Sequence, residues 1–561
     1  MDHKRVFVIG LDGGTFTIVK PMVQKGMLPH LAKMMQKGSL GNLMSTIPHN
    51  TACAWPSFMT GKNPGKHGVF HFFNSKTDSY EGYLVNAKTI RAKTLWQILS
   101  AHGKKVGVVD VPLTFPPEPV NGFLISGMPL PSSEKVFTYP PGLYTELIRE
   151  CGDFPHEDTV IKPFYEGKVS EFLKQLYMFT ENRLQATLYL MRRYEWDLFM
   201  VVFRGTDFVG HYGARFWSND YCQRHPEEAS KYSELITQYY EAIDRAIGKI
   251  LEHLDDDCRV IVMSDHGIGP LKKHFYVNKW LTTVGLLKLK KFHKFRTYYL
   301  TIPRYSLHQI FEKIHLGFLA NFLPRCLNGK IIPIPRIRMN SHPSKYIDWK
   351  KTKAYSPWTS GEGIIRLNVK GRSSQGIVEN GEEYEKLRDY IIGGLYAIRD
   401  SETNDRVIEK VFKREEIYSG PFVEEAPDIL FIMDETGYSS WSELESEDIL
   451  GCRDNDFFGP HHLNGMLIMQ GKDLTEGVEL GNARIIDIAP TILYLLGLPV
   501  PDDIDGKVLL ETIESSYRKD NPIEYQKVDG SEEKSSRVEA VLSEDEKKNI
   551  EEHLRGLGYL S

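Results

Sequence analysis

Short apolar runs alternate along this chain with longer segments whose apolar residues recur at helical spacing. RVFVIGL (5–11), KVGVVD (105–110), DLFMVVF (197–203) and RVIVMS (259–264) are nearly continuous apolar runs, the pattern of strands covered on both faces. Helices are expected through Met34 and Met35 and over 94–102, 168–194 and 227–254. Such alternation predicts an α/β fold, a mostly parallel sheet flanked by helices on both faces, with ligands gathering where strands end. Residues 112–141 read as Pro-rich loop. The sheet is expected to resume at 363–368, 428–433 and 466–470. A polar linker is expected at 515–540, then a terminal helix at 543–557 with a Ser543/Glu546 capping box, docking through Ile550, Leu554 and Leu557.

Charge changes this picture in one place. The net charge of the 561 residues is −5, which gives no reason to expect nucleic-acid binding. Residues 271–354, however, carry 18 Lys+Arg against two acids, Glu312 and Asp348. That segment reads as an inserted basic, largely helical cap. It divides a core of 1–270 and 355–510 from a linker and C-terminal helix at 511–561. The simplest expectation is a subdomain packed on the acidic core with its cations solvated. The other is a lid that draws an anionic, lipid-linked phosphate at a membrane surface. The cysteines (53, 151, 222, 258, 326, 452) are scattered without a CxxC pair, the habit of reduced thiols. No apolar run is long enough to span a bilayer, and no signal peptide precedes the first strand; a cytoplasmic protein is expected.

The chemistry gathers at the ends of the apolar runs. Asp12 ends the first. Asp207 and His211 stand four apart in FRGTDFVGH, Asp265 and His266 are adjacent in MSDHGIGP, and His461 precedes another apolar run in FGPHHLNGMLI. Three carboxylates and three imidazoles suit Zn²⁺ or Mn²⁺ and are enough for two sites. Thr51, in STIPHNTACAWPSFMTGKNPGKHGV, follows a Pro-His-Asn turn and opens a stretch able to start a helix. A hydroxyl there meets free backbone N–H groups, but it needs a metal or a base to become a nucleophile.

With these motifs in hand, the chain resembles the alkaline phosphatase superfamily, in its type I phosphodiesterase/nucleotide pyrophosphatase branch. The likeness lies in LDGG, the Thr51 segment ending TGKNPGKHG, GTDFVGH, SDHG, the GPH loop, and RIIDIAPTIL with its following Asp505-Gly506. It implies that Asp12, Thr51, Asp265 and His266 hold one metal and Asp207, His211 and His461 the other. His461 is taken over His462 because it stands four before Gly465. The implied reaction is in-line attack by Thr51 on phosphorus, a phospho-threonine intermediate, and its hydrolysis, with two divalent ions, Zn²⁺ before Mn²⁺. A sulfatase of the same fold carries Cys or Ser at the Thr51 register and an Arg shortly after. Here Cys53 is out of register and Ser57 is followed by Phe58. Nucleotide pyrophosphatases place a phosphate-contacting Asn after the HG, where this chain has Phe72, with Asn74 two further on. Asn50, beside Thr51, is the candidate substrate-binding substitute. A phosphomonoesterase, phosphomutase or head-group phosphotransferase with the same metals, and a non-catalytic binding protein on the same fold, are the alternatives. Natural substrate and oligomeric state are not legible.

Overall fold

The computed structural model describes residues 4–528, apart from 77, 132–136, 153–162, 164–167, 218–221, 224, 291–342, 358–360, 362, 445, 447 and 452–458, together with 548, 550, 551 and 554. Its centre is a nine-stranded sheet. In chain order the strands are β1 (Arg5–Leu11), β2 (Ser39–Met44), β3 (Val106–Val111), β4 (Gly122–Ser126), β5 (Thr138–Tyr139), β6 (Leu198–Phe203), β7 (Cys258–Met263), β8 (Asn464–Gln470) and β9 (Glu479–Arg484). Across the sheet they run β9-β2-β8-β7-β1-β6-β3-β4-β5. The pairs β7-β1, β1-β6, β6-β3, β3-β4 and β2-β9 are parallel. β8 is antiparallel to both its neighbours, and β5 to β4. Every residue of β3, β6 and β7 is buried, as their mostly apolar sequences require between two helical layers.

The long helices Val169–Arg193 and Pro226–Leu251 sit where helical spacing placed them, and Leu95–Ala101 is closed by a Thr94/Gln97 capping box. Phe16–Gln24 and Pro29–Lys37 replace the one helix expected around Met34 and Met35. Gly26, at φ +74°, makes the break between them.

Three expectations are corrected. Residues 112–141 are not all loop, because β4 and β5 lie within them. The prolines fall outside the short GFLIS run and hid it. The strands Gly363–Leu367 and Ile429–Met433 do not continue the main sheet. They belong to a four-stranded sheet with Ala354–Tyr355 and Ile408–Lys413. That sheet and the helix Glu382–Tyr396 bury a second apolar cluster, which also takes in Phe275, Trp280, Leu287, Ile347 and Trp349. Asp428 is its polar pin. The carboxylate accepts from the Leu367 backbone N–H (2.7 Å), both terminal nitrogens of Arg372 (2.7 and 2.6 Å) and the Tyr384 hydroxyl (2.6 Å). Third, the start of the expected linker is ordered. Ser515–Asp520 is helical, and Tyr525–Gln526 pairs with Val500–Pro501.

Of the expected basic cap, residues 291–342 lie outside the described residues; its described flanks pack into the second cluster. Ser543, Glu546 and Leu557 also lie outside them, while Ile550 and Leu554 are helical and buried in the main core. Among the described residues no helix is long and apolar enough to cross a membrane.

Candidate metal centre and nucleophile

Topology brings the predicted residues to one edge of the sheet. The parallel strands β7, β1 and β6 end side by side, and Asp265, Asp12 and Asp207 follow their last residues. β8 runs the opposite way, so its beginning lies at that edge and puts His461 there. β2 is antiparallel to β8, and therefore parallel to β7; its end delivers the loop to Thr51. A histidine before an apolar run and aspartates after apolar runs thus reach the same place.

Thr51 is the first residue of the helix Thr51–Thr60. Asn50 caps it, its side-chain oxygen accepting from Cys53 N at 2.8 Å. The helix closes at Gly61 and is tied down by the motif that follows. Lys66 Nζ lies 2.6 Å from Asp505 Oδ1, and Asn63 donates to Asp505 Oδ2 from its backbone and side-chain nitrogens, both at 2.8 Å. Lys62 pairs with Asp503. Gly506 allows this close approach, since a Cβ there falls 1.9 Å from Ile486 O. TGKNPGKHG and Asp505-Gly506 are therefore one clasp on the Thr51 helix. His67 is structural: Ser57 Oγ lies 2.8 Å from its Nε2, and burial pushes its pKa down to about 3.

At the edge, Thr51 Oγ1 is 3.2 Å from His266 Nε2. The same nitrogen is 3.2 Å from Asp265 Oδ2 and 3.6 Å from Asp12 Oδ1. Asp207 Oδ1 lies 3.2 Å from His211 Nε2 and 3.5 Å from His461 Nε2, and the two imidazole nitrogens are 3.0 Å apart. Each ring uses its other nitrogen on a backbone carbonyl. His211 Nδ1 donates to Gly459 O (2.8 Å), His266 Nδ1 to Gly267 O (3.0 Å) and His461 Nδ1 to His49 O (3.2 Å). A carbonyl only accepts, so these three bonds fix the tautomer of each ring in its neutral, cation-binding form, with the Nε2 lone pair turned inward. His49 returns the bond, donating from Nε2 to His461 O at 3.1 Å. This clasp ties the loop before Thr51 to the start of β8.

Three inward lone pairs and three buried carboxylates form a set of acceptors that cations satisfy and water fits poorly. Asp12 Oδ1 and Asp265 Oδ2 are buried with no hydrogen-bond partner among the described residues. Two ligand groups have their donor atoms within 4.8 Å of one another: Asp207, His211 and His461, and Asp12, Asp207 and His266. Asp207 thus stands between the two cation positions. Gly13 lets it do so, with φ +68° and Asp207 Cα only 3.0 Å from where a Cβ would be. The charge crowding shows in the protonation equilibria. Burial, then the Asp207 carboxylate, pushes Asp12 up to about 7 against the pull of Arg204. Burial, then Asp12 and Asp207, holds Asp265 well above the usual carboxylate range. Burial opposes ionisation of Asp207 too, but His211 and His461 outweigh it and hold it low. Burial and neighbouring His461 keep His266 neutral, its pKa held well below the usual imidazole range.

Sequence reasoning passed over His49, Trp55 and Arg204. Trp55, four after Thr51 on the same helix, donates from Nε1 to Asp12 Oδ2 at 3.3 Å. Arg204, fully buried, reaches the same oxygen with Nε at 3.4 Å. Its one sequence signal was a cation at the mouth of an acidic motif. Asn74 is no ligand contact: its amide donates to Gly68 O (2.7 Å) and accepts from Phe70 N (3.0 Å).

Two adjoining groups of cation ligands around a hydroxyl, at the C-terminal edge of a helix-covered sheet, define a metal-dependent hydrolase of alkaline-phosphatase-like architecture. The chain belongs to the type I phosphodiesterase/nucleotide pyrophosphatase family, whose model matches residues 6–463. It is accordingly an enzyme acting on phosphoester bonds. No curated protein matches it in sequence. Among solved structures, phosphonoacetate hydrolase from Sinorhizobium meliloti 1021 with phosphonoformate is similar at TM-score 0.53 and 15% identity, over 88% of this chain and 95% of that one. The same enzyme with phosphonoacetate gives 0.51 and 14%, over 88% and 95%. Human ectonucleotide pyrophosphatase/phosphodiesterase 5 gives 0.45 and 12%, over 92% and 99%. At identities this low, the two phosphonoacetate hydrolase structures speak for a common fold and not for a common substrate.

Proposed function

We propose that the enzyme cleaves phosphodiesters or pyrophosphates with Thr51 as nucleophile, through a phospho-threonine intermediate. The observation that carries this reading is the placement of Thr51 Oγ1, at a helix N-terminus and 3.2 Å from the inward nitrogen of His266. In this reading Asp12, Asp265, His266 and Thr51 serve one divalent ion and Asp207, His211 and His461 the other, with Zn²⁺ favoured by the nitrogen-rich second set. Bound there, two such ions supply Lewis acidity, lowering the pKa of the hydroxyl and screening the phosphoryl charge.

The chain's own groups do the rest. Thr51 attacks phosphorus in line with the departing oxygen, and water later cleaves the phospho-threonine. The N-terminal end of the helix, the positive end of its dipole, stabilises charge on the phosphoryl oxygens. Asn50 is a further donor. Its oxygen is committed to the cap, while its Nδ2 is buried with no hydrogen-bond partner among the described residues. Phe72 is fully buried and offers no polar atom at the register where nucleotide pyrophosphatases carry Asn. The reading is therefore a phosphodiesterase whose phosphate donor comes from beside the nucleophile. A cytoplasmic setting is part of it, supported by the free thiols of Cys151, Cys222 and Cys258 among the described residues. The test is turnover of bis(p-nitrophenyl) phosphate with Zn²⁺ or Mn²⁺, against p-nitrophenyl phosphate. Thr51→Ala is expected to lose at least ~10³-fold in kcat while keeping its metal. Undiminished turnover in that variant removes Thr51 as nucleophile, and a strong monoester preference removes the diester reading.

A further inference from the structure

Asp12 has its polar atoms divided with unusual completeness. Its backbone N–H donates to Phe203 O at 3.1 Å, and its backbone oxygen accepts from Thr206 Oγ1 at 2.6 Å. Its Oδ2 accepts from Trp55 Nε1 at 3.3 Å and from Arg204 Nε at 3.4 Å. Oδ1 alone has no hydrogen-bond partner among the described residues, and it is the oxygen that lies 3.6 Å from His266 Nε2. Asp265 shows the same division with a backbone donor. Oδ1 accepts from Gly13 N at 3.2 Å, and the unbonded Oδ2 is 3.2 Å from His266 Nε2.

We propose that Arg204 is a positioning residue that, with Trp55, pins Oδ2 of Asp12 so that Oδ1 alone is offered to the cation beside His266. The inference rests on the two-metal reading given above. A carboxylate with both oxygens unbonded can rotate, or bind through both. One pinned through a single oxygen has its ligand atom and direction set before the ion arrives. Arg204 is placed for this task. It follows β6, immediately beside the end of β1, and it opens the helix Gly205–Gly213 that carries Asp207 and His211. Its guanidinium carbon lies 5.1 Å from the centre of the Phe208 ring, and no part of its side chain is exposed. Burying a guanidinium is costly unless its charge and N–H groups are used, and the acidic cluster uses both. Its Nε–H extends from a rigid plane; a lysine ammonium, a point charge on a flexible stem, restores the charge and not the direction.

The test measures metal affinity rather than turnover. The full chain, stripped with a chelator, is titrated with Zn²⁺ against a chromophoric competitor. Arg204→Met is expected to bind the tightest Zn²⁺ about 10- to 100-fold more weakly than the wild type, the range found when a ligand's supporting hydrogen bond is removed. Arg204→Lys is expected to recover part of the loss, and Trp55→Phe to show a smaller loss of the same kind. In an Asp12→Asn background, Arg204→Met is expected to cost little more. Wild-type affinity in Arg204→Met overturns the proposal, as does an equal loss with and without the Asp12 carboxylate. If Arg204→Met does not fold, Trp55→Phe and Arg204→Lys decide, and wild-type affinity in both overturns it. A wild-type chain that binds no Zn²⁺ removes the two-metal reading as well. A wild-type chain that binds Zn²⁺, beside variants that bind equally, leaves that reading standing and removes only the role of Arg204.

Discussion

Replacing Asp12 by Asn is expected to stabilise the metal-free protein and to lose most of that advantage when metal binds. Without metal, the Asp12 carboxylate is buried beside Asp207, and its pKa rises from 3.8 to about 7. At about 1.4 kcal/mol per pH unit, that rise sets a ceiling of about 4 kcal/mol on what the ionised carboxylate costs the fold. The sign follows from linkage. Between pH 3.8 and about 7 the folded state holds a proton that the unfolded state has released, so stability falls across that window and levels above it. Asp12→Asn should therefore match the wild type near pH 4 in EDTA and exceed it at pH 8. With saturating Zn²⁺ the advantage shrinks, because the variant has lost a ligand. A 100-fold weaker site forfeits about 2.7 kcal/mol of ligand stabilisation. Thermal unfolding at pH 4, 6 and 8, in EDTA and in Zn²⁺, reads both effects. A variant less stable than the wild type at pH 8 in EDTA refutes the charge-crowding argument, whatever its activity.

Other outcomes follow from the same structure. Asn50→Ala should cost about 1 kcal/mol of stability through the lost cap, whereas Asn50→Asp keeps the cap and loses only the donor. If Asn50 meets the phosphoryl group, Asn50→Asp loses about 10²-fold in kcat with an unchanged melting temperature; unchanged kcat removes that contact. In the second sheet, burial works against Asp428, but Arg372 outweighs it and brings its pKa from 3.8 to about 2. Its ion pairing thus contributes about 2 kcal/mol above pH 4, lost as pH falls through 2. Asp428→Asn should lower urea stability at pH 7 by at least that amount, and equal midpoints there would refute it. Leu554→Asp should expose the main core and lower the melting temperature, since Leu554 is fully buried within it; an unchanged value would mean that the terminal helix does not dock.

The site was more legible than the fold around it. An Asp at a strand end is commonly a turn or cap residue; Asp12, Asp207 and Asp265 were visible because each follows an apolar run and all stand, in order, in motifs like those of one family. His461 was harder to place, because it precedes its strand; only the reversed direction of β8 explains that, and direction is not written in hydropathy. Arg204 and Trp55 left almost no trace, because a buried Arg and a buried Trp look in sequence like a surface cation and an ordinary core residue. The strands at 363–367 and 429–433 carried the same apolar signature as those of the main sheet. Local pattern tells that a strand is buried and not which sheet buries it. β4 was lost to its proline-rich surroundings.

The position of β8 also constrains how the molecule is made. It lies between β7 and β2, two strands synthesised some 200 and 420 residues before it. Until residues 464–470 leave the ribosome, those two flanks face each other across an empty lane of unsatisfied backbone N–H and C=O groups, while the 354–433 sheet assembles in the interval. A nascent chain halted before that point is therefore open to strand invasion by its neighbours, and it lacks His461. Emergence of residues 464–470 fills that lane and brings His461 to the site in one event.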